Sequence, residues 1–133
     1  MSKFFAPLEL SLMTNPNGIP LTNRSGRQLY KLCSSFMYKS DIANAYFIVP
    51  KGFVTDLASI PRLPFCYLLL NGIADGPGVI HDYLYSSDTI DISRDLADSV
   101  LKEACLLIGV SWWKAQMIYL GVRVGGASHF KAH

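Results

Sequence analysis

Pro77-Gly78-Val79-Ile80-His81-Asp82-Tyr83-Leu84-Tyr85 is the stretch at which this chain stops reading as strands and starts reading as helix. Pro77 suits a first helical turn, because the N–H it lacks would have no partner there. Val79, Ile80, His81, Asp82, Leu84 and Tyr85 then follow on a helix. His81 and Tyr85 stand four residues apart and share one face, whereas Asp82 points about 100° away.

Beyond this segment the helical pattern continues. Asp91 or Ser93 can cap a second helix that runs to Ile108, with Leu96, Val100, Ala104 and Leu107 at helical spacing and Gly109 as its stop. Ser111 can cap a third, in which Trp113, Met117, Leu120 and Val124 form a stripe expected to face the core, ended by Gly125-Gly126. Residues 127–133 read as a frayed tail.

Before residue 62 the pattern is different. Leu8 to Met13 reads as a strand and Asn15-Pro16-Asn17-Gly18 as a turn. Arg27 to Tyr38 alternates imperfectly, and Tyr46 to Val49 is β-branched and aromatic, closed by Pro50-Lys51-Gly52. The expected fold is α+β: a small N-terminal antiparallel β-sheet or meander, then about three α-helices. Residues 1–133 are expected to form a single domain, with a β-rich half (1–62), a helical half (75–126) and the tail.

Composition narrows the function classes. Of 133 residues, 50% are hydrophobic and 17% charged, which excludes a disordered chain and predicts a well-buried interior. Residues 1–62 hold seven Lys/Arg against three acids (+4), and residues 63–133 hold five against seven (−2). That asymmetry is too weak for a nucleic-acid footprint. Cys33, Cys66 and Cys105 have no metal-like spacing and are expected as buried free thiols. The N-terminus has no apolar run long enough for a signal peptide, and Leu63 to Ala74 is interrupted by Pro64 and Asn71, so no transmembrane segment is expected.

Three segments stand outside the packing pattern. The loop Gly52 to Arg62 offers Asp56, Ser59 and backbone carbonyls, a set that can hold a hard cation or an anionic group, or simply cap a turn. In the second, Asp82 could take Ca²⁺, His81 could take a proton from water, and Tyr85 could hold a carboxylate. The same His81 and Tyr85 could also be interior polar groups with ordinary partners. In the third, Arg94 and Asp98 lie four apart, with Lys102 four further on. This is either a surface ion-pair ladder or a device that turns Asp98 towards His81 to fix its tautomer.

Two resemblances follow from these strings. Val49-Pro50-Lys51-Gly52-Phe53-Val54-Thr55-Asp56-Leu57-Ala58-Ser59-Ile60-Pro61-Arg62, His81-Asp82-Tyr83-Leu84-Tyr85, Arg94 with Ala97-Asp98, and Arg123-Val124-Gly125-Gly126 resemble a family of small phage and prophage proteins of unknown function. The likeness spans about residues 5–126 and implies a phage-associated protein in the host cytoplasm or the virion, with other phage proteins as partners. The order of Asp56, His81-Asp82 with Tyr85, and Arg94 with Asp98 is similar to the short bacterial and fungal phospholipase A2. That resemblance implies Ca²⁺ on Asp82 and Asp56, His81 as the base, Asp98 as its orienter, Tyr85 in support, and a lipid or cell-envelope substrate. Ser59, Arg62 and Arg94 would complete the surrounding network. The chain departs from that pattern in Leu57, where a glycine would stand, and in its β-rich first half. The alternative reading is a structural or assembly protein of the tail or head, in which the same residues form a satisfied polar network.

Overall fold

The computed structural model describes residues 1–24, 26–56, 75–87, 91–125 and 130. Among the described residues six strands come first: β1 (Lys3–Phe4), β2 (Leu10–Leu12), β3 (Tyr30–Leu32), β4 (Phe36–Ser40), β5 (Ala45–Val49) and β6 (Val54–Thr55). Three helices follow among the described residues: α1 (Asp75–Ser86), α2 (Arg94–Leu107) and α3 (Trp112–Gly125). The architecture is α+β.

The β-rich half forms two antiparallel three-stranded sheets, ordered β1-β4-β5 and β2-β3-β6. The imperfect alternation of Arg27 to Tyr38 now has a reason. The segment breaks at Cys33-Ser34-Ser35 into β3 and β4, which belong to different sheets, so Leu32 and Phe36 are both buried without sharing a strand. In the β4–β5 hairpin, Phe36 pairs with Val49 and Tyr38 with Phe47. Those four point to the core, while Tyr46 and Ile48 alternate outward, as a strand's period of two requires. Asn44, with its positive φ, takes the left-handed corner of the hairpin, a conformation that asparagine tolerates. The Asn15 turn forms as read, with Asn15 Oδ1 accepting from the N–H groups of Asn17 at 2.9 Å and Ile19 at 3.0 Å.

Of the two candidate caps for α2, Ser93 takes the position, its hydroxyl accepting from Leu96 N–H at 3.1 Å. Gly109, with its positive φ, ends the helix. α2 lies between α1 and α3 and is buried on two sides. Val100 and Ala104 face the larger core with Val79, Ile80 and Leu84 of α1 and the inner sheet residues. Leu101 and Cys105 face a second cluster with Ala115, Ile118 and Val122 of α3. A one-sided stripe through Leu96 and Leu107 is therefore only partly right, since Leu107 is exposed.

The third helix corrects the sequence reading more sharply. Its inner face is Ala115, Ile118 and Val122, and the expected core stripe faces outward, with Trp113, Leu120 and Val124 exposed beside Trp112. Ala115 and Gly121 contribute small side chains to the face turned to α2, and both tryptophans are left on the outside. Cys105 is buried, which pushes its thiol up to about 12, but Cys33 is exposed, contrary to expectation. Cys66 lies outside the described residues. In the tail, Phe130 packs edge-on against Tyr85 at 5.2 Å, so that side chain is docked rather than frayed.

Glu103 joins the two halves through polar contacts. Glu103 on α2 accepts from Tyr38 Oη at 2.7 Å, Ser40 Oγ at 2.8 Å and Ile42 N–H at 2.8 Å. Burial, then the neighbouring carboxylate, raises the Tyr38 phenol well above its ordinary range, so it stays a donor. Glu103→Ala takes the carboxylate acceptor from the fully buried Tyr38 and Ser40 hydroxyls. It is expected to lower stability by about 1–3 kcal/mol, seen as a lower urea midpoint with unchanged slope.

Candidate active site

The site is built where α1, α2 and α3 meet. α1 presents His81 and Tyr85 one turn apart on its buried face, and α2 presents Asp98 from its own buried face. His81 Nε2 lies 2.7 Å from Asp98 Oδ1, and Tyr85 Oη donates to the same oxygen at 2.5 Å. The other carboxylate oxygen, Oδ2, accepts from Arg123 Nη1 of α3 at 3.0 Å. His81 and Asp98 are both buried, so their contact lies in a medium that strengthens it.

These partners decide the protonation of Asp98. Burial alone would raise its carboxyl. The hydrogen bonds from His81, Tyr85 and Arg123 outweigh that and hold it below the usual carboxylate range. Tyr85 moves the other way, raised by burial and then by Asp98, so its hydroxyl keeps its proton and donates. An ionised Asp98 accepts and cannot donate, which places a proton on His81 Nε2. In the neutral ring Nδ1 then carries the lone pair. Nδ1 is buried and has no hydrogen-bond partner among the described residues.

Arg94 supports the group from the start of α2. Its Nε donates to Tyr85 Oη at 3.3 Å, and its Nη2 donates to the carbonyls of Val122 at 3.0 Å and Arg123 at 2.5 Å. Those carbonyls belong to the last turn of α3, where acceptors lack helical partners and a cation suits the helix dipole. Neither Arg94 nor Lys102 forms the ladder that spacing alone suggested. Asp98 pairs with His81, Tyr85 and Arg123, and Lys102 donates to Gln116 on α3.

Of the residues singled out in the sequence, His81, Tyr85, Arg94 and Asp98 converge here. Asp82 is half-buried on α1. Asp56 follows β6, where its Oδ2 accepts from Asn23 Nδ2 at 2.7 Å. Ser59 and Arg62 lie outside the described residues. Among the described residues no group of three or more His, Cys, Asp or Glu side chains is placed to hold a metal.

Sequence reasoning gave Arg123 no role in the site. A signal existed: α3 carries Lys114 and Arg123 but no acid, so a partner for either had to come from another element.

With this geometry in hand, the family is decided by a match of residues 30–122 to the model of a protein of unknown function, DUF1353. The chain belongs to that family. The matched span runs from β3 to the last turn of α3 and holds His81, Tyr85, Arg94 and Asp98, with Arg123 just past its end. Neither a search of curated proteins nor one of solved structures finds a significant match. The function of the family is unknown.

Proposed function

We propose that His81 is the general base and Asp98 the orienting carboxylate of a hydrolase acting on an ester or amide, in a phage-associated protein as the sequence resemblance implies. The observation that carries this reading is the buried His81 ring, with Nε2 against Asp98 and Nδ1 without a hydrogen-bond partner among the described residues. A carboxylate that keeps the ring in one tautomer, with the other nitrogen unpaired among the described residues, makes a base–orienter pair. In the proposed step Nδ1 takes a proton from water as the water oxygen bonds to the substrate carbonyl carbon. The tetrahedral adduct collapses, the bond to the leaving oxygen or nitrogen breaks, and that atom takes the proton back from Nδ1. Tyr85 and Arg123 hold Asp98 ionised as the imidazolium forms, and Arg94 holds Tyr85.

The test is hydrolysis across chromogenic esters, phospholipids and amides, by wild type and His81→Gln. Turnover in the wild type that His81→Gln lacks supports the base. Equal turnover in both removes it.

A second reading has its own observation. His81 is 2% exposed, so water reaches Nδ1 only when a neighbouring side chain gives way. On that reading the network only joins the three helices, as a structural or assembly component would require. It predicts no turnover by the wild type and a loss of stability alone in the variants.

Calcium on Asp82 and Asp56 is a separate proposal from the sequence, and no step above runs through a metal. It predicts a rise in Tm with Ca²⁺ that Asp82→Asn abolishes. At 100 times Kd the stabilisation would be about 2.7 kcal/mol. No shift in the wild type removes calcium from the account and leaves the His81–Asp98 reading standing.

A further inference from the structure

We infer that the outer face of α3 docks on an anionic lipid surface. A surface helix ordinarily turns a polar face to water. α3 is apolar on both sides: Ala115, Ile118 and Val122 are buried, and on the opposite side Trp113, Leu120 and Val124 are 53%, 48% and 81% exposed. With half-buried Met117 they fall at positions 113, 117, 120 and 124, a single stripe along the helix. Trp112, 65% exposed, flanks it at the N-terminal end.

Charge names the partner. Lys114 Nζ lies 5.7 Å from the Trp113 ring on one flank of the stripe. On the other flank Lys102 Nζ lies 5.4 Å from the Trp112 ring and 5.7 Å from that of Tyr119. From Gly109 to His133 the sequence has three Lys/Arg and no Asp or Glu. The nearby acid, Asp95 on α2, is held by Tyr119 Oη at 3.1 Å and paired with Arg123 at 3.8 Å. An apolar stripe with tryptophans, bordered by cations, is the composition of helices that lie in the membrane interface. A second copy would set these lysines against each other. A peptide ligand uses a groove or a sheet edge, and this stripe is the convex ridge of one helix. No helix among the described residues is long and apolar enough to cross a membrane, α3 included. The helix lies on the surface.

The inference rests on α3 alone and is independent of whether His81 is a base. Trp112 and Trp113 are the chain's two tryptophans, so its intrinsic fluorescence reports this face directly. With vesicles of phosphatidylglycerol the protein is expected to cosediment and its emission to shift to the blue, with much weaker binding to phosphatidylcholine vesicles. Each lysine contributes about fivefold to the affinity, so Lys102→Ala with Lys114→Ala weakens binding on the order of 25-fold. Trp113→Ser with Leu120→Ser abolishes it, while circular dichroism stays that of the wild type. Equal binding to both lipids, no cosedimentation with either, or burial of the tryptophans by self-association without vesicles would overturn the inference.

Discussion

Asp98→Ala is expected to lower the unfolding free energy by about 3–5 kcal/mol, the largest single-residue stability effect expected in this chain. Three groups depend on that carboxylate: His81 Nε2, Tyr85 Oη and Arg123 Nη1. Removing it leaves a buried ring nitrogen and a buried phenol without their acceptor, and deprives a guanidinium of its counter-charge. Asp98→Asn keeps one acceptor oxygen and should lose less. The same network makes stability depend on pH. The folded carboxyl titrates below its ordinary range, whereas an unfolded aspartate titrates near ~3.9. Its contribution is therefore fully present above pH ~4 and is lost as pH falls through the lower folded value. Urea unfolding from neutral to strongly acidic pH should show a steeper acid loss for the wild type than for Asp98→Ala. Parallel curves would mean that Asp98 is not held ionised by its partners.

His81→Gln is expected to reduce turnover by about 10²–10⁴-fold, the range a positioned general base supplies. Glutamine suits the comparison because its side-chain N–H can reach towards Asp98 where Nε2 stood, yet it has no basic ring nitrogen. The fold and Asp98 should survive the change while the base is lost. Asp98→Asn should also reduce kcat, because an amide no longer stabilises the imidazolium or fixes its tautomer. If both act as one unit, the double variant loses little more than either single one. Additive losses would place the two residues in separate roles.

The helical half was legible because its signals are local. Ser93 and Gly109 act within one turn of the chain, so α2 could be placed from neighbouring residues alone. His81 and Asp98 are 17 residues apart, and a short connection between two helices made their meeting a geometric option, which the structure takes up. Arg94 and Arg123 were harder. Both are satisfied across elements, Arg94 by carbonyls at the end of α3 and Arg123 by Asp98, and no periodicity encodes such contacts. The orientation of α3 was misread for a related reason. Hydrophobicity alone favours Trp113 and Leu120 as the buried face, but the face turned to α2 is Ala115, Ile118, Gly121 and Val122, a choice made by the partner helix and not by local pattern. The split of Arg27 to Tyr38 between two sheets was likewise set by pairing partners far along the chain.

Base or bystander, the role of His81 turns on which of its ring nitrogens carries the proton. The chain has three histidines, so a nitrogen-15 NMR spectrum of the imidazoles is simple, and His81→Gln assigns the signal. The prediction for the neutral ring is a proton on Nε2, shifted far downfield by its contact with Asp98, and an unprotonated Nδ1. A proton on Nδ1, with Nε2 bare against Asp98, would contradict the base–orienter pair.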